Sequence, residues 1–260
     1  MPTQVYFFTM ALNTYTLWVT LAVMAGSVWT LWQARHSWSA FSATLNALLL
    51  SALVSVLLGR AGYVLLHLDY FQEHLNEIIS STSPGLWEHT LMVGWLAGGW
   101  IAHQFHQDAP LSSSLVLMTL AGLGASMGCI SVGCAYGREV YWTDGWLWQL
   151  RVDWPDATLI NNPRLPTQLF MVMWLLVCIL IVWVAQRRHW RIAQGSRMLV
   201  LWVALFALGD FIIQFARADA MPMFGSLRAA QWVDIAFVLL CAGALSLRRS
   251  SAKSEQITVM

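Results

Sequence analysis

The sequence predicts an all-α fold, a polytopic integral membrane protein with seven transmembrane helices. Three observations carry that reading. Hydrophobic residues make up 58% of the 260-residue chain and charged residues only 10%, against about a quarter charged in a soluble domain. Apolar runs long enough to cross a bilayer core, which takes about 20 residues, recur along the whole sequence. Basic residues gather in alternate connections between those runs, as they do in cytoplasmic loops. A net charge of +1 gives no general attraction to nucleic acid, and none is expected as a partner.

The expected spans are 13–33, 44–66, 88–106, 111–131, 168–186, 198–216 and 230–248. No basic residue precedes the first, and no small-residue cleavage signature follows it, so it reads as a retained helix and not a signal peptide. The third opens on Glu88 and His89 and closes near His103 and His106. The fourth carries AGLGASMG (121–128), small residues at the spacing that lets two helices approach closely. Long connections cover 67–87 and 132–167, and the second crowds Trp142, Trp146, Trp148 and Trp154 as a membrane-interface belt would. Residues 1–249 form one expected domain with an outer-face polar site. The tail 250–260 reads as short, cytoplasmic and disordered.

Orientation follows from charge. Arg35, the cluster Arg187, Arg188, Arg191 and Arg197, and Arg248, Arg249 and Lys253 share one side if there are seven spans. That side is expected to be the cytoplasm, which puts the N-terminus outside and the C-terminus inside. Asp69, Glu73, Glu77, Glu88, Asp144, Asp153 and Asp156 fall on the other.

Function is sought first in Gly128–Trp142, GCISVGCAYGREVYW, where glycines, cysteines and charges interrupt an apolar run. Irregular backbone at membrane depth persists only where protein or a water-filled cavity surrounds it, and charges there mark functional sites by default. Arg60, Arg138, Arg164, Arg217 and Arg228 all lie at or near the outer ends of spans. A guanidinium fork suits a phosphate, so the set suggests a shared cavity for a phospholipid headgroup. For any single arginine the simpler reading is snorkelling, or pairing with an acid such as Glu139 or Asp219. Cys129 and Cys134 are open to a disulfide, a reactive thiol or, most simply, tight packing of small residues. Cys178 and Cys241 read as mid-span packing residues. His103 and His106 are spaced to hold a metal or tetrapyrrole, but interfacial polarity explains them as well, and no metal or cofactor is expected.

At these residues the chain resembles the prolipoprotein diacylglyceryl transferase family, seven-span enzymes that move diacylglycerol from phosphatidylglycerol to a lipobox cysteine. The resemblance covers nearly the whole chain: TYTLW (14–18), GRAGYVLLHLDYFQEHLNEII (59–79), GLWEHTLMVG (85–94), PRLPTQLF (163–170), GDFIIQFARAD (209–219) and AAQW (229–232). The family signature falls on Ala125–Arg138, where Gly128, Gly133, Gly137 and Arg138 match. Its leading arginine falls on Ser126, its asparagines on Cys129 and Val132, and its glutamate on Cys134. Elsewhere an arginine falls on Asp210, a glutamate on Gln214 and the motif histidine on Leu165. Arg60, Tyr63, His89, Gln168, Arg217 and Gln231 are retained at matching positions.

The resemblance implies a transferase of lipoprotein biogenesis in the bacterial plasma membrane, with His89 as base and Arg217 beside it in the catalytic set. Arg60, Arg138, Tyr63, Tyr15, Gln168 and Gln231 would bind or order the lipid substrate. Phosphatidylglycerol and a lipobox-bearing prolipoprotein would be the partners. The replacements leave a second reading open, a catalytically silent homologue that binds lipid or serves as a subunit of a larger membrane complex. A third, transport of a small anion, has no inverted repeat behind it.

Overall fold

The structure is a computed structural model that describes residues 4–7, 10–79, 85–105, 114–156, 158, 160–190 and 197–258, with backbone alone at 4–7, 10–12, 114 and 247–258. Its contacts divide into two units, 27–114 and 1–26 with 115–260. Helix α1 (Thr14–Ala34) runs through the division.

The 27–114 unit is built on α2 (Trp38–Leu66) and α4 (Glu88–Phe105), joined through α3 (Leu68–Glu73) and a 3₁₀ turn, Leu75–Glu77. Ser37 caps α2 by accepting from the Ala40 amide at 3.1 Å, which satisfies an amide that the first helical turn leaves open. The two long helices meet through small residues. A Cβ on Gly94 would stand 2.5 Å from Ser55 Cα, and one on Gly98 2.6 Å from Ser51 Cα. Backbones that close leave room for glycine alone, and the approach lets Ser55 Oγ donate to the Leu91 carbonyl at 2.7 Å.

The other unit holds α5 (Ser114–Val132), α6 (Thr167–Arg187), α7 (Arg197–Ile213) and α8 (Ala229–Thr258). Hairpins precede α1 (β1, Gln4–Phe7; β2, Met10–Asn13), follow α5 (β3, Val152–Pro155; β4, Asn161–Arg164) and lead into α8 (β5, Met223–Phe224; β6, Leu227–Arg228). The small-residue run of α5 does what its spacing predicts. Gly124 abuts Ala22 and the Trp18 carbonyl of α1, and Gly128 abuts Tyr15. Leu175, Cys178, Ala185, Ala207 and Ala230 form a fully buried core, with Trp174 Nε1 donating to the Leu205 carbonyl at 2.9 Å across α6 and α7. Cys178 and Cys241 are buried free thiols, as packing residues should be.

Among the described residues six helices are long and apolar enough to cross a membrane: Thr14–Ala34, Trp38–Leu66, Leu115–Val132, Thr167–Arg187, Arg197–Ala216 and Ala229–Ser246. The chain is a multi-pass membrane protein. Leu49, Leu53, Met173, Leu180, Leu239 and Leu240 stay exposed on those helices, a surface that lipid solvates and water would not. The expected third span exists as α4, but it is not among the six, so the count of seven is not confirmed. Glu88, His89, His103 and Gln104 at its ends reduce its apolar character. His106 lies outside the described residues. The end of the chain also differs from expectation. Helix α8 continues to Thr258 through the segment read as a disordered tail, where Lys, Glu, Gln and Ala are all good helix formers.

Candidate functional site

The site begins where α5 stops. Gly133 takes φ +72° and its amide donates to the Cys129 carbonyl at 2.9 Å, followed by the Cys134 amide at 3.2 Å. This is a left-handed glycine closing a helix C-terminus. A Cβ at Gly133 would run into the Asp156 carbonyl, so the residue is fixed by space as well as by conformation. Cys129 and Cys134 are joined in a disulfide, with Cα atoms 4.6 Å apart, which corrects the reading of them as packing residues. The spacing leaves that choice open; the tight turn at Gly133 brings the two sulfurs together. From α6, Thr167 Oγ1 donates to the Ala135 carbonyl at 2.6 Å and Gln168 Nε2 to the Cys134 carbonyl at 2.8 Å. The loop is thereby tied at both ends, and Ala135 is held at φ +52°.

Beyond it, residues 136–140 run extended between two partners. On one side the Arg138 amide donates to Ala216 O at 2.8 Å and the Ala218 amide to Tyr136 O at 2.9 Å, pairing Gly137 with Arg217. On the other the Leu165 amide donates to Arg138 O at 3.0 Å and the Val140 amide to Pro163 O at 2.9 Å, pairing Glu139 with Arg164. Since β4 also pairs with β3, with Val152 opposite Arg164, one antiparallel ribbon joins the α5 and α7 C-termini to the α6 N-terminus. Gly137 is required there, because a Cβ would strike the Leu165 carbonyl.

The ribbon sorts the arginines by their partners. Arg164, 9% exposed in its side chain, gives Nη2 to Glu139 Oε1 at 2.9 Å and to Asp156 Oδ2 at 3.0 Å, and lies 4.9 Å from the Tyr136 ring centre. Glu139 also accepts from the Tyr141 hydroxyl at 2.9 Å and from Asn162 at 2.7 Å. These bonds, the tyrosine's first, hold its carboxyl below the usual carboxylate range, with Arg164 adding to them and partial burial opposing. Arg217 donates Nε and Nη2 to the two oxygens of Asp219 at 2.9 and 2.6 Å. Arg228 donates Nη2 to the same carboxylate at 3.0 Å and to the Asp219 carbonyl at 2.8 Å, and Nη1 to the Arg217 carbonyl at 3.2 Å. Burial lowers the Arg228 pKa and Arg217 adds to that, while Asp219 and, less strongly, Asp210 work against it. Arg138 is the most open of the four, 42% exposed in its side chain, with Asp144 Oδ1 3.7 Å away. The acid pairing that the sequence offers as the simpler reading is therefore what Arg164 and Arg217 do.

The remaining expected residues are placed as follows. Gln231 is buried, accepting from the Arg228 amide at 2.9 Å and donating to Phe211 O at 3.2 Å. Tyr15 packs on Gly128. In the 27–114 unit Arg60 donates to the carbonyls of Ile78 at 2.8 Å, Glu77 at 2.6 Å and Gly85 at 3.2 Å. It organises the connection after α3, a role its place at a span end does not reveal. The Tyr63 ring lies 4.3 Å from that of His67, tilted by 31°. His89 is 1% exposed, 5.4 Å from the Trp87 ring and 4.0 Å from Glu88 Oε1. Sequence reasoning missed Thr167 as a site residue. It named Asp219 and Asp144 without a site role and named Arg164 and Arg228 only as members of the arginine set.

A family model described as prolipoprotein diacylglyceryl transferase matches residues 2–247. The chain belongs to that family. Phosphatidylglycerol–prolipoprotein diacylglyceryl transferases of Bacillus velezensis and Geobacillus kaustophilus are similar to it. The first is 23% identical over 254 residues, 92% of this chain and 90% of the relative. The second is 26% identical over 210 residues, 76% and 73%. One from Clostridium kluyveri is 23% identical over 234 residues, 87% and 88%. Against the diacylglyceryl transferase signature the replaced residues now have places. Asp210 is buried on α7 and accepts from Gln214 Nε2 at 2.9 Å, Ser126 Oγ donates to Gly122 O at 2.9 Å within α5, and Leu165 is buried on the ribbon. The disulfide occupies the positions of a signature asparagine and its glutamate.

Proposed function

We propose that this chain transfers the diacylglyceryl group of phosphatidylglycerol to a lipobox cysteine of a prolipoprotein. In that reaction a carbon–sulfur bond forms at the glyceryl carbon, the carbon–oxygen bond to phosphate breaks, and glycerol phosphate leaves. The thiol proton must be taken up first, because the thiolate is the nucleophile, and the departing phosphate needs cationic donors already in place. His89 takes the proton. Arg217 and Arg138 receive the phosphate, with Arg60, Tyr63, Tyr15, Gln168 and Gln231 ordering the site. Protein of this kind would sit in the bacterial plasma membrane with α4 as a seventh crossing, its N-terminus outside and its C-terminus in the cytoplasm, as one domain over residues 1–249.

The observation that carries the reading is the pairing of Gly137 with Arg217. It draws together two arginine-bearing segments from different connections at one end of four helices, the arrangement a phosphodiester would need. Complementation of a strain depleted of its own diacylglyceryl transferase tests it. The wild-type chain is expected to restore growth, and His89→Ala and Arg217→Ala are expected not to. A well-expressed wild type that fails to rescue overturns the proposal.

A further inference from the structure

The outer surface of α2 carries one side chain that lipid cannot satisfy. Asn46 is exposed and makes no side-chain hydrogen bond among the described residues. Arg60, tied to the carbonyls of the connection after α3, marks one end of the crossing. The roughly 20 residues that span a bilayer core, counted back from there, reach Phe41, so Asn46 lies inside the apolar layer. The other side-chain amides of the six long helices avoid that position. Gln168, Gln214 and Gln231 are buried, and Gln33 and Gln186 are each the last residue but one of their helices. Asn46 also belongs to a groove of about 400 Å³, lined further by Leu49, Leu50 and Leu53 of α2 and Ala102 and Phe105 of α4. Positions 46, 49, 50 and 53 follow the i, i+3, i+4, i+7 spacing by which one helix offers a stripe to another. Leu49, Leu53 and Phe105 are 62%, 58% and 77% exposed, and Ala102 is small and buried between them. The groove lies wholly within the 27–114 unit, and none of its lining residues belongs to the transferase reading.

We propose that this groove is a self-association surface, in which the α2 stripe of a second copy seats beside α2 and α4 and the two Asn46 side chains hydrogen-bond each other. The chemistry of the amide selects the occupant. A lipid acyl chain fits the leucines but offers Asn46 neither a donor nor an acceptor. A different helix would need its own polar group at the same depth. A second copy supplies one by symmetry. Both copies cross the bilayer in the same direction, so a twofold axis along the membrane normal sets each residue level with itself. An amide holds an acceptor oxygen and two N–H donors, so the pair is self-complementary. Polar side chains of this kind hold helices together inside membranes, and one asparagine at a packing seam fixes register and helix number.

Association is read without any lipobox peptide, so the result does not depend on the transferase reading. The full chain, with one fluorophore on a C-terminal tag, is reconstituted in vesicles of phosphatidylglycerol and phosphatidylethanolamine. Photobleaching steps per spot are counted as the ratio of chain to lipid is raised. Wild type is expected to pass from one-step to two-step spots. Asn46→Leu is expected to need a ratio roughly tenfold higher for the same change, the loss of one interhelical hydrogen bond, with its melting temperature unchanged. Asn46→Cys gives an independent reading. Copper phenanthroline is expected to join two copies through residue 46, while wild type and Leu240→Cys, on an exposed position of α8, stay single. Wild-type spots that remain one-step at every ratio overturn the proposal, whether the groove then holds lipid or another protein's helix. Association of Asn46→Leu at the wild-type ratio, or joining at 240 as readily as at 46, overturns it equally.

Discussion

Arg164 and Arg217 stand on opposite edges of the same strand and meet different partners. Arg164 meets two carboxylates and an aromatic face, so its corner is closed and slightly acid-rich. Arg217 and Arg228 share the carboxylate of Asp219, and Asp210 is a further favourable charge for Arg228. Arg164 takes its acids from across the ribbon and so fixes backbone, whereas Arg217 takes Asp219 from two residues along its own segment. The same residue type thus ties the ribbon across one edge and pairs locally at the other, and the position of the neighbouring acid tells the two apart.

That contrast can be broken by mutation. The largest effect is expected from Arg217→Ala, with diacylglyceryl transfer falling by about 10²–10³-fold, the usual loss when a donor to a developing negative charge is removed, and little change in melting temperature. Arg164→Ala should do the reverse first, lowering the melting temperature and loosening the β3–β4 hairpin in hydrogen exchange. If both variants lose activity with unchanged stability, the distinction between the two edges fails.

A second pair of changes tests how the ribbon is fixed. Cys129→Ser should lower unfolding stability by about 2 kcal/mol, the loop-entropy value for a short closure, and reductant should do the same to wild type but nothing to the variant. Gly133→Ala should cost about 1–2 kcal/mol for the left-handed conformation and more for the contact with the Asp156 carbonyl. Denaturant titration in detergent reads both.

The smallest effect is a pH dependence of the closed corner. The carboxyls of Glu139 and Asp156 lie below the usual range, Glu139 chiefly through the Tyr141 hydroxyl and Asp156 chiefly through Thr158. A lowered folded-state pKa contributes stability that is complete above the ordinary carboxylate value and is lost as pH falls through the lowered one. Hairpin amides should therefore exchange faster, relative to their intrinsic rates, as pH drops below the ordinary carboxylate range. Tyr141→Phe should shrink that change, because it removes the largest cause of the Glu139 shift.

Much of the bundle was legible before any coordinates. Hydropathy gave the six crossing helices, and the spacing of Gly124 and Gly128 foretold a close neighbour, because both depend on local periodicity. The seventh span was less certain for the same reason: α4 carries polar ends that hydropathy counts against it. The site was only half readable. Its arginines advertise themselves by lying at span ends, but how each is answered depends on strand pairings such as Glu139 with Arg164 and Gly137 with Arg217, 25 and 80 positions apart. Arg60 shows the limit: its carbonyl partners at 77, 78 and 85 are set by the path of a connection, which no pattern in the sequence encodes.

The most direct test of the account is mass spectrometry of a lipobox peptide incubated with the purified chain in phosphatidylglycerol nanodiscs. The cysteine peptide should gain one diacylglyceryl group, with glycerol phosphate released in equal amount, and the matching serine peptide should gain nothing. A folded chain that binds phosphatidylglycerol yet leaves the cysteine peptide at its starting mass would contradict it.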